Sequence, residues 1–312
     1  MSRGITVIGA TGFVGAAVIR QLMSATFSPV HILVRDRAKL PPNLPSHFRM
    51  FTGDLNNLPV DVFPETSFSL IHLATKQIDN DGSGFDENNV AGTTQLMASL
   101  PPSARAVIYG SSASVYGQGA KTGISESVAL APETPLACSR LAAERIIFNA
   151  AQAGGLSAYC LRPRFLFGPG DRHTLPGLTR MVRRGIQPGN GSQLHSVINV
   201  EDYASVILSL AARVADGERM ALNTAYREPL PFGRIIEFIC RANRLRAPRI
   251  HIPVSETLTR RLRRAPFSVT RALATKLELF GLSQWLNTGL LISIIGDSIL
   301  GHGPLRALEG AA

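Results

Sequence analysis

The fold of this chain is decided by ITVIGATGFVG, residues 5–15. Four residues of a short apolar run come first, three glycines follow at intervals of three, and a helical pattern continues from Val14 to Met23. A strand, a tight glycine turn and a helix in this order predict the start of a βαβ unit. We therefore expect a parallel sheet whose first strand is formed by residues 5–8.

The glycines of this turn indicate a dinucleotide site. Gly9 permits the tight turn, Gly12 lets the backbone approach a pyrophosphate, and Gly15 lets the helix pack closely on the sheet. The start of the helix offers free N–H groups and the positive end of its dipole to an anion. The other residues that we expect to contact the dinucleotide here are Thr11, Phe13 and Val14.

Short apolar runs alternate with helical patterns through the first 170 residues. Besides residues 5–8, strands are predicted at 30–34, 70–73, 106–109 and 158–161, and helices at 14–23, 89–100 and 135–153. Strands that are apolar throughout and separated by helices form parallel sheets covered on both faces. The predicted fold class is therefore α/β, a Rossmann-type doubly wound parallel sheet with a smaller C-terminal substrate lobe.

The alternation ends near Phe165, where loops rich in glycine and proline and shorter helices begin. We place an NADP(H)-binding domain at 1–170 and a mainly substrate-binding lobe at 171–312. Residues 195–225 are candidates for additional elements of the main sheet.

The residues that follow the second predicted strand decide between NAD and NADP. A carboxylate at this position accepts from the ribose of NAD, whereas arginine grips the 2′-phosphate of NADP. Arg35 lies there, with Arg37 two positions further on, and Asp36 between them is also explained as a solvated loop charge. The pattern favours NADP(H) over NAD(H). Asp54 and Leu55, in the GDL segment at 53–55, are candidates for the adenine side of the site.

The basic charge of the chain does not point to nucleic acid. The formal net charge is +10, and only four of the 32 basic residues are lysines. The arginines are spread along the chain, and no helix-turn-helix, finger or aromatic-interleaved basic motif accompanies them. A solvated surface that attracts a phosphorylated small molecule explains this charge better.

Cysteine spacing and the N-terminal residues bear on the compartment. The three cysteines have no CxxC spacing, so neither a disulfide framework nor a metal site is expected. A strand within the first ten residues is unlike a signal peptide, and we expect a cytoplasmic protein.

The apolar residues 279–295 are too short and too polar for a membrane span. We expect them to pack as a helix of the lobe, with peripheral membrane contact as the alternative. The sequence leaves open whether the chain forms a homodimer.

Several motifs together resemble the extended short-chain dehydrogenases/reductases, which include nucleotide-sugar epimerases, dehydratases and 3β-hydroxysteroid-dehydrogenase-like enzymes. The resemblance covers roughly residues 4 to 210, and the order of its motifs makes it specific. They are GATGFVG at 9–15, GDL at 53–55, HLA at 72–74, NVAGT at 89–93, YGSSASVYG at 109–117, LRPRFLFGPGD at 161–171 and INVEDYA at 198–204. The resemblance implies further cofactor contacts from Leu73, Ala74 and Pro163.

The resemblance also implies a catalytic serine and a YxxxK pair, and this chain departs from the pair. Ser112 matches the serine that holds the substrate oxygen. The family's SPYGRSKLAAE corresponds to TPLACSRLAAE at 134–144, which puts Leu136 at the tyrosine and Arg140 at the lysine. Leucine has no proton to give, which removes a step worth about 10²–10⁴-fold in rate. Arg140 retains positive charge and donors for ribose hydroxyls and is a candidate for both the cofactor and the catalytic site.

Other residues are candidates for the missing proton donor or for substrate contact. Tyr116 is close in sequence to Ser112, and His173 lies in a loop that the family places beside the substrate. His195 precedes a segment where relatives often carry a substrate-facing basic residue. Arg162 and Arg164 flank Pro163 and are explained equally well by substrate contact or by structural ion pairs.

Three functions are compatible with these features. The first is an atypical NADP(H)-dependent reductase or epimerase that acts on a small-molecule carbonyl or alcohol, such as a nucleotide sugar or a specialised metabolite. The second is a non-redox enzyme that catalyses elimination, cyclisation or isomerisation on the same scaffold. The third is a non-catalytic NADP(H)-binding regulatory protein. An enzyme is favoured because the substrate-side motifs are well formed.

Overall fold

The computed structural model describes residues 3–78, 84–117, 121–172, 174–213, 216–252 and 298–300. His173 and the apolar residues 279–295 lie outside these ranges, so the predictions made for them stay predictions.

The strands and helices follow the predicted alternation closely. In chain order the strands are Gly4–Ile8 (β1), Val30–Val34 (β2), Phe48–Thr52 (β3), Phe68–His72 (β4), Ala104–Gly110 (β5), Lys121–Ile124 (β6), Ser157–Pro163 (β7), Phe165–Phe167 (β8), Ile186–Pro188 (β9), Leu194–His195 (β10), Val197–Asn199 (β11), Arg219–Thr224 (β12), Leu230–Pro231 (β13), Ile250–Ile252 (β14) and Ser298–Leu300 (β15). The helices are Phe13–Leu22 (α1), Gly92–Ala98 (α2), Pro135–Gly154 (α3), Thr174–Arg183 (α4), Val200–Ala212 (α5) and Phe232–Asn243 (α6).

A seven-stranded sheet forms the centre of the fold, in the order β12-β7-β5-β4-β1-β2-β3. Each neighbouring pair is parallel. Strands β1, β2, β4 and β7 are buried along their whole length, as expected where helices cover both faces of a sheet. The order of the strands reverses between β1 and β4, and such a switch point opens a crevice at the carboxyl ends of the strands. The predicted doubly wound α/β fold is confirmed.

Two apolar cores lie on opposite faces of this sheet. One contains residues of α1 and α5, including Val18, Ile19 and Ile207. The other contains residues of α2 and α3, including Leu96 and Ile147. Strand β12 is the edge strand of this sheet and α5 packs against α1, although both elements come after residue 170.

A second unit is formed by β6, β8–β11, β13–β15, α4 and α6. Helices α4 and α6 pack on each other through a separate core of Leu178, Met181, Val182, Ile236 and Ile239. A four-stranded sheet of order β13-β10-β15-β6 lies in the same unit. No helix among the described residues is long and apolar enough to cross a membrane.

The helix predicted at 89–100 begins differently from the expectation. Residues Asp86–Ala91 form a π-helical turn that continues into α2. The Asn89 side chain accepts from Lys76 N at 2.7 Å and donates to Lys76 O and to Ser139 Oγ. The turn therefore holds the loop after β4 against α3, next to the crevice. Such turns are frequent at functional sites.

Candidate functional site

The glycine turn has the geometry of a dinucleotide site. Gly9 has a φ of +91°, and a Cβ there would lie 2.5 Å from Ala74 N. A Cβ at Gly15 would lie 2.1 Å from Gly9 O, so only glycine allows α1 to approach the sheet this closely. At Gly12 the nearest atom to a Cβ would be Gly9 O at 3.3 Å, which leaves the outer side of the turn open to a ligand.

The N-terminus of α1 is free to bind an anion. Ala16 N donates to Gly12 O, so the N–H groups of Phe13, Val14 and Gly15 precede the first intrahelical hydrogen bond. The first turn contains no acidic residue, and Gly12 provides no side-chain cap. Together with the open face at Gly12, these groups fit the pyrophosphate of a dinucleotide.

The charged residues after β2 differ in what they contact. Arg37 donates to Thr52 Oγ1 at 3.0 Å and to Met50 O at 2.7 Å, so it ties this loop to β3. Asp36 accepts from Ala38 N and forms an ion pair with Lys39 at 3.6 Å. The exposed Arg35 makes no hydrogen bond or ion pair within the described residues. Its guanidinium is therefore available to a ligand phosphate, whereas Arg37 already has partners.

Asp54 and Leu55 stabilise the turn after β3. Asp54 Oδ1 accepts from Asn56 N and Asn57 N at 2.9 and 3.0 Å. Leu55 is buried, and its Cδ1 lies 2.9 Å from where a Cβ on Gly92 would be. These contacts give both residues a structural role, and the adenine contact stays a prediction.

The carboxyl ends of β1, β4, β5 and β7 meet at the crevice. Leu73 and Ala74 lie against Gly9, as the 2.5 Å approach shows, and Leu73 Cδ2 lies 2.8 Å from where a Cβ on Gly110 would be. Gly110 is paired with Leu161 of β7, two residues before Pro163. The structure thus brings Leu73, Ala74 and the turn together, with Pro163 at the end of a nearby strand.

Ser112 is positioned by the turn that follows β5. Its Oγ accepts from Ser114 N at 3.1 Å and caps the short 3₁₀ helix Ala113–Tyr116. A serine hydroxyl that accepts one hydrogen bond can still donate its own proton. The Ser112 side chain is half-buried, so a substrate oxygen could receive that hydrogen bond.

Leu136 and Arg140 lie on the first turns of α3. The helix starts with Thr134 as its N-cap, whose Oγ1 accepts from Ala137 N at 3.1 Å, and with Pro135 at its first position. Leu136 is half-buried, whereas Arg140 is only 3% exposed. Arg140 Nη1 donates to Gly110 O, which joins this face of α3 to the end of β5.

The buried charge of Arg140 affects its neighbours. Burial, followed by the charge of Arg140, lowers the pKa of His72 to about 3, so this histidine is neutral. Burial raises the pKa of Tyr109 to about 12, partly offset by Arg140. The Arg140 Nε and His72 Nδ1 atoms are buried and have no hydrogen-bond partner within the described residues. The inner end of the crevice is therefore cationic and polar.

Beside Ser112, a second group of side chains forms a buried ion-pair network. Arg162 and Glu144 form an ion pair at 2.5 Å, and Ser111 Oγ donates to Glu144 Oε1 at 2.5 Å. Arg162 Nη1 donates to Tyr116 OH at 2.9 Å, and that hydroxyl donates to Asn223 Oδ1 at 2.8 Å. The ion pair and Tyr116 hold the pKa of Arg162 above its ordinary value, despite burial.

This network argues against Tyr116 as the missing proton donor. The side chain is fully buried, and its hydroxyl already donates to one partner and accepts from another. Burial also raises its pKa. Arg162 is likewise structural, since it is bonded to Glu144 and Tyr116.

His195 and Arg164, two further candidates for substrate contact, lie near the second unit. His195 is fully buried, with its ring packed edge-on against Phe165 and Phe232 at centroid distances of 5.1 and 5.8 Å. Arg164 lies over the Phe165 ring at 5.2 Å, and burial lowers the pKa of Arg164 to about 10.

Sequence reasoning missed Ser111 and Glu144. Both have a signal in retrospect, because Ser111 adjoins Ser112 and Glu144 follows Arg140 by one helical turn on the same face. The apolar side chains around His195 were also missed, since they come from segments distant in sequence.

Comparisons with known proteins agree with this geometry. The family model of the NAD dependent epimerase/dehydratase family matches residues 5–224, well over half of the chain. The chain belongs to this family. The resemblance to the extended short-chain dehydrogenases/reductases is confirmed.

Individual relatives differ in substrate. A decarboxylating sterol-4-alpha-carboxylate 3-dehydrogenase of Candida albicans is 28% identical over 232 residues, which are 69% of this chain and 66% of the relative, just under two thirds of its length. The structure of MoeE5 in complex with UDP-glucuronic acid and NAD is 28% identical, with a TM-score of 0.66 over 81% of this chain and 85% of that one. RMD from Pseudomonas aeruginosa, complexed with NADPH, is similar in fold alone, at 22% identity and a TM-score of 0.63, covering 81% and 87% of the two chains.

Proposed function

We propose that the chain is an NADP(H)-dependent oxidoreductase that acts on a small-molecule carbonyl or alcohol without the family's catalytic tyrosine. The main support is the arrangement of the site. The glycine turn of residues 9–15, which we call the dinucleotide turn, opens into a crevice that contains Ser112, and Leu136 and Arg140 lie on the adjoining helix α3. MoeE5 was solved with NAD, which supports a nicotinamide cofactor for this chain. Arg35, exposed and without a partner in the described chain, supports the preference for NADP(H).

Each residue has a stated task in this proposal. The N–H groups of Phe13, Val14 and Gly15 would hold the pyrophosphate, and Arg35 would hold the 2′-phosphate. When bound, the nicotinamide supplies or accepts a hydride. Ser112 would donate a hydrogen bond to the substrate oxygen and orient it. Arg140, which donates to Gly110 O, would place its positive charge close to the point where negative charge develops on the substrate during the reaction.

Leu136 stands at the position of the family's tyrosine, so the proton that the tyrosine would give to the substrate has no donor there. Because leucine cannot donate, the proton would come from water or from the substrate, and turnover would lack a contribution of about 10²–10⁴-fold. A slow reductase is therefore expected.

The test starts with titration of the purified chain with NADPH and NADH, followed by NADPH oxidation with candidate ketones. We expect tighter binding of NADPH, and a loss of about tenfold or more in kcat for Ser112→Ala, since the substrate oxygen loses its donor. Ser103→Ala is the matched control, because Ser103 precedes the opposite end of β5 and donates to Pro64 O. Equal turnover by Ser112→Ala and wild type would remove Ser112 from the mechanism.

A non-redox enzyme is the second candidate, favoured by the apolar Leu136 and by the fully bonded Tyr116. It would form product with no net change in NADPH. Deuterium in the product together with net oxidation of labelled NADPH indicates the reductase, because a hydride recycled within one turnover can carry the label without net oxidation.

A further inference from the structure

A second concave region lies apart from the dinucleotide turn, between β8, α4, α6 and β13. It is a cavity of about 190 Å³. Its described walls are formed mainly by apolar side chains, among them Phe165, Phe167, Leu175, Leu178, Phe232 and Phe238. Phe238 is 56% exposed and marks an open side of the cavity.

The walls of this cavity are fixed by hydrogen bonds at the starts of both helices. Asp171 accepts from Thr174 N at 3.0 Å and from Leu175 N at 2.8 Å, which caps α4. Phe232 N donates to Gln193 O at 2.7 Å, which ties the start of α6 to the loop before β10. The cavity is therefore preformed, as ligand sites usually are.

The cavity adjoins the crevice through strand β8. Phe165 follows Pro163 by two residues, so their Cα atoms are at most about 7 Å apart. The loop after β8 returns to the dinucleotide turn, where a Cβ on Gly170 would lie 3.7 Å from the ring of Phe13. A molecule with one end at Ser112 and the other in the cavity would lie along β8.

The lining does not suit a nucleoside diphosphate. Arg234 is the one permanently charged side chain among the described lining residues, and it already forms an ion pair with Glu237 at 3.0 Å. An apolar cavity of about 150 Å³ lined by Leu, Ile and Phe stays dry and binds benzene. This cavity is slightly larger and similarly lined, so it matches an apolar group of about one six-membered ring.

We propose that the cavity is the subsite for an apolar part of the substrate, about the bulk of one substituted ring. The substrate would then be a carbonyl or alcohol on an apolar skeleton, and not a nucleotide sugar. The assignment as a substrate subsite rests on the proposed function, whereas the binding of an apolar group to the cavity does not.

Fluorobenzene is a suitable probe of the full chain, because ¹⁹F NMR reports its binding without cofactor or turnover. We expect saturable binding that UDP-glucose does not displace. Leu175→Trp should fill the cavity and weaken fluorobenzene binding at least tenfold. Leu245→Trp is the matched control, because Leu245 packs against the same core but is not among the residues that line the cavity. It should bind within about twofold of wild type.

A second variant covers the case in which Leu175→Trp does not fold. Phe238→Gln changes a largely exposed side chain and should weaken binding several-fold in a folded protein. The proposal is overturned if wild type shows no saturable binding, if both cavity variants bind like wild type, or if UDP-glucose displaces the probe.

Measurements of kcat and KM distinguish the apolar subsite from the oxidoreductase activity. With an apolar cyclic ketone as substrate, Leu175→Trp should raise KM about tenfold with little change in kcat, whereas Ser112→Ala should lower kcat. Probe binding without any turnover would overturn the oxidoreductase and leave the apolar site in place. Turnover with an unchanged KM in Leu175→Trp would overturn the subsite alone.

Discussion

Arg35 is an exposed cation beside residues whose charges already have partners. We expect Arg35→Ala to raise the Kd for NADPH by about 10–100-fold, because a hydrogen bond to a charged group is worth about 1.5–3 kcal/mol. The Kd for NADH should change little, since NADH has no 2′-phosphate. Cofactor fluorescence titration measures both values.

Arg37→Ala is the control for that experiment. Arg37 is bonded to Thr52 and Met50, so its loss should lower stability more than it changes the ratio of the two Kd values. A ratio of NADPH to NADH affinity that Arg35→Ala leaves unchanged would contradict the assigned 2′-phosphate contact.

His72 makes the fold sensitive to acid. Its pKa is about 3 in the folded chain because of burial and the charge of Arg140, against an ordinary value of 6.5. Below pH 6.5 the unfolded chain binds a proton that the folded chain does not, so stability falls as pH drops towards 3. One such group changes the unfolding free energy by up to about 1.4 kcal/mol per pH unit.

His72→Gln should therefore flatten the loss of stability between pH 6.5 and 4.5, measured by urea unfolding. Glutamine can still contact Thr93, which bonds His72 at 3.0 Å. His47→Gln, at an exposed histidine, is the control. Parallel pH curves for His72→Gln and wild type would contradict the prediction.

At the scale of the element, α3 presents its site residues one turn apart. Leu136, Arg140 and Glu144 share one face. Restoring the family's pair with Leu136→Tyr and Arg140→Lys adds a phenol one helical turn before residue 140, where the arginine side chain reaches the carboxyl end of β5. We expect kcat for ketone reduction to rise about 10²-fold, the lower end for a positioned proton donor.

Leu136→Phe with Arg140→Lys separates the proton from the ring. It has nearly the same bulk as the tyrosine variant but no hydroxyl, so kcat should not rise. Equal rates for the two double variants would show that the ring, and not a proton, changes turnover.

Elements could be predicted where one local pattern determined them. Strand β2 has the predicted bounds, and α3 differs by one residue, because Thr134, Pro135 and a following glycine signal its ends. The π-helical turn before α2 could not be predicted, because it depends on Asn89 reaching both Lys76 and Ser139. Contacts between residues distant in sequence leave no local periodicity.

At the scale of the molecule, the Glu144–Arg162 network connects the two units. Through Tyr116 and Asn223 it joins α3, β7 and β12, and Asn223 Nδ2 donates to Ile124 O of β6 at 2.8 Å. Removing one partner leaves a buried charge unpaired, so Glu144→Gln should lower the unfolding free energy by about 3–5 kcal/mol.

Glu237→Gln is the matched control, since it breaks the exposed Arg234–Glu237 pair, which is worth at most about 1 kcal/mol. Urea unfolding measures both variants. A loss below about 1 kcal/mol for Glu144→Gln would mean that the network contributes little to stability.

The dinucleotide turn could be predicted because eleven consecutive residues form it. The apolar cavity could not, because Phe165, Leu175, Phe232 and Phe238 meet only after β8, α4 and α6 have packed. The burial of Arg140 could not be predicted from the sequence either. Its bond to Gly110 O depends on the approach of α3 to β5, which the sequence around either residue does not specify.

Strand β15 has a consequence for how the chain folds as it is synthesised. It lies between β10 and β6 and is parallel to both. Its residues 298–300 leave the ribosome after all the other described elements, so β6 emerges long before its partner exists. The seven-stranded sheet can form earlier, since it ends at residue 224 and domains fold as units during translation. We therefore expect the edge of β6 to need protection during that interval, which would make this small sheet the last of the described sheets to assemble.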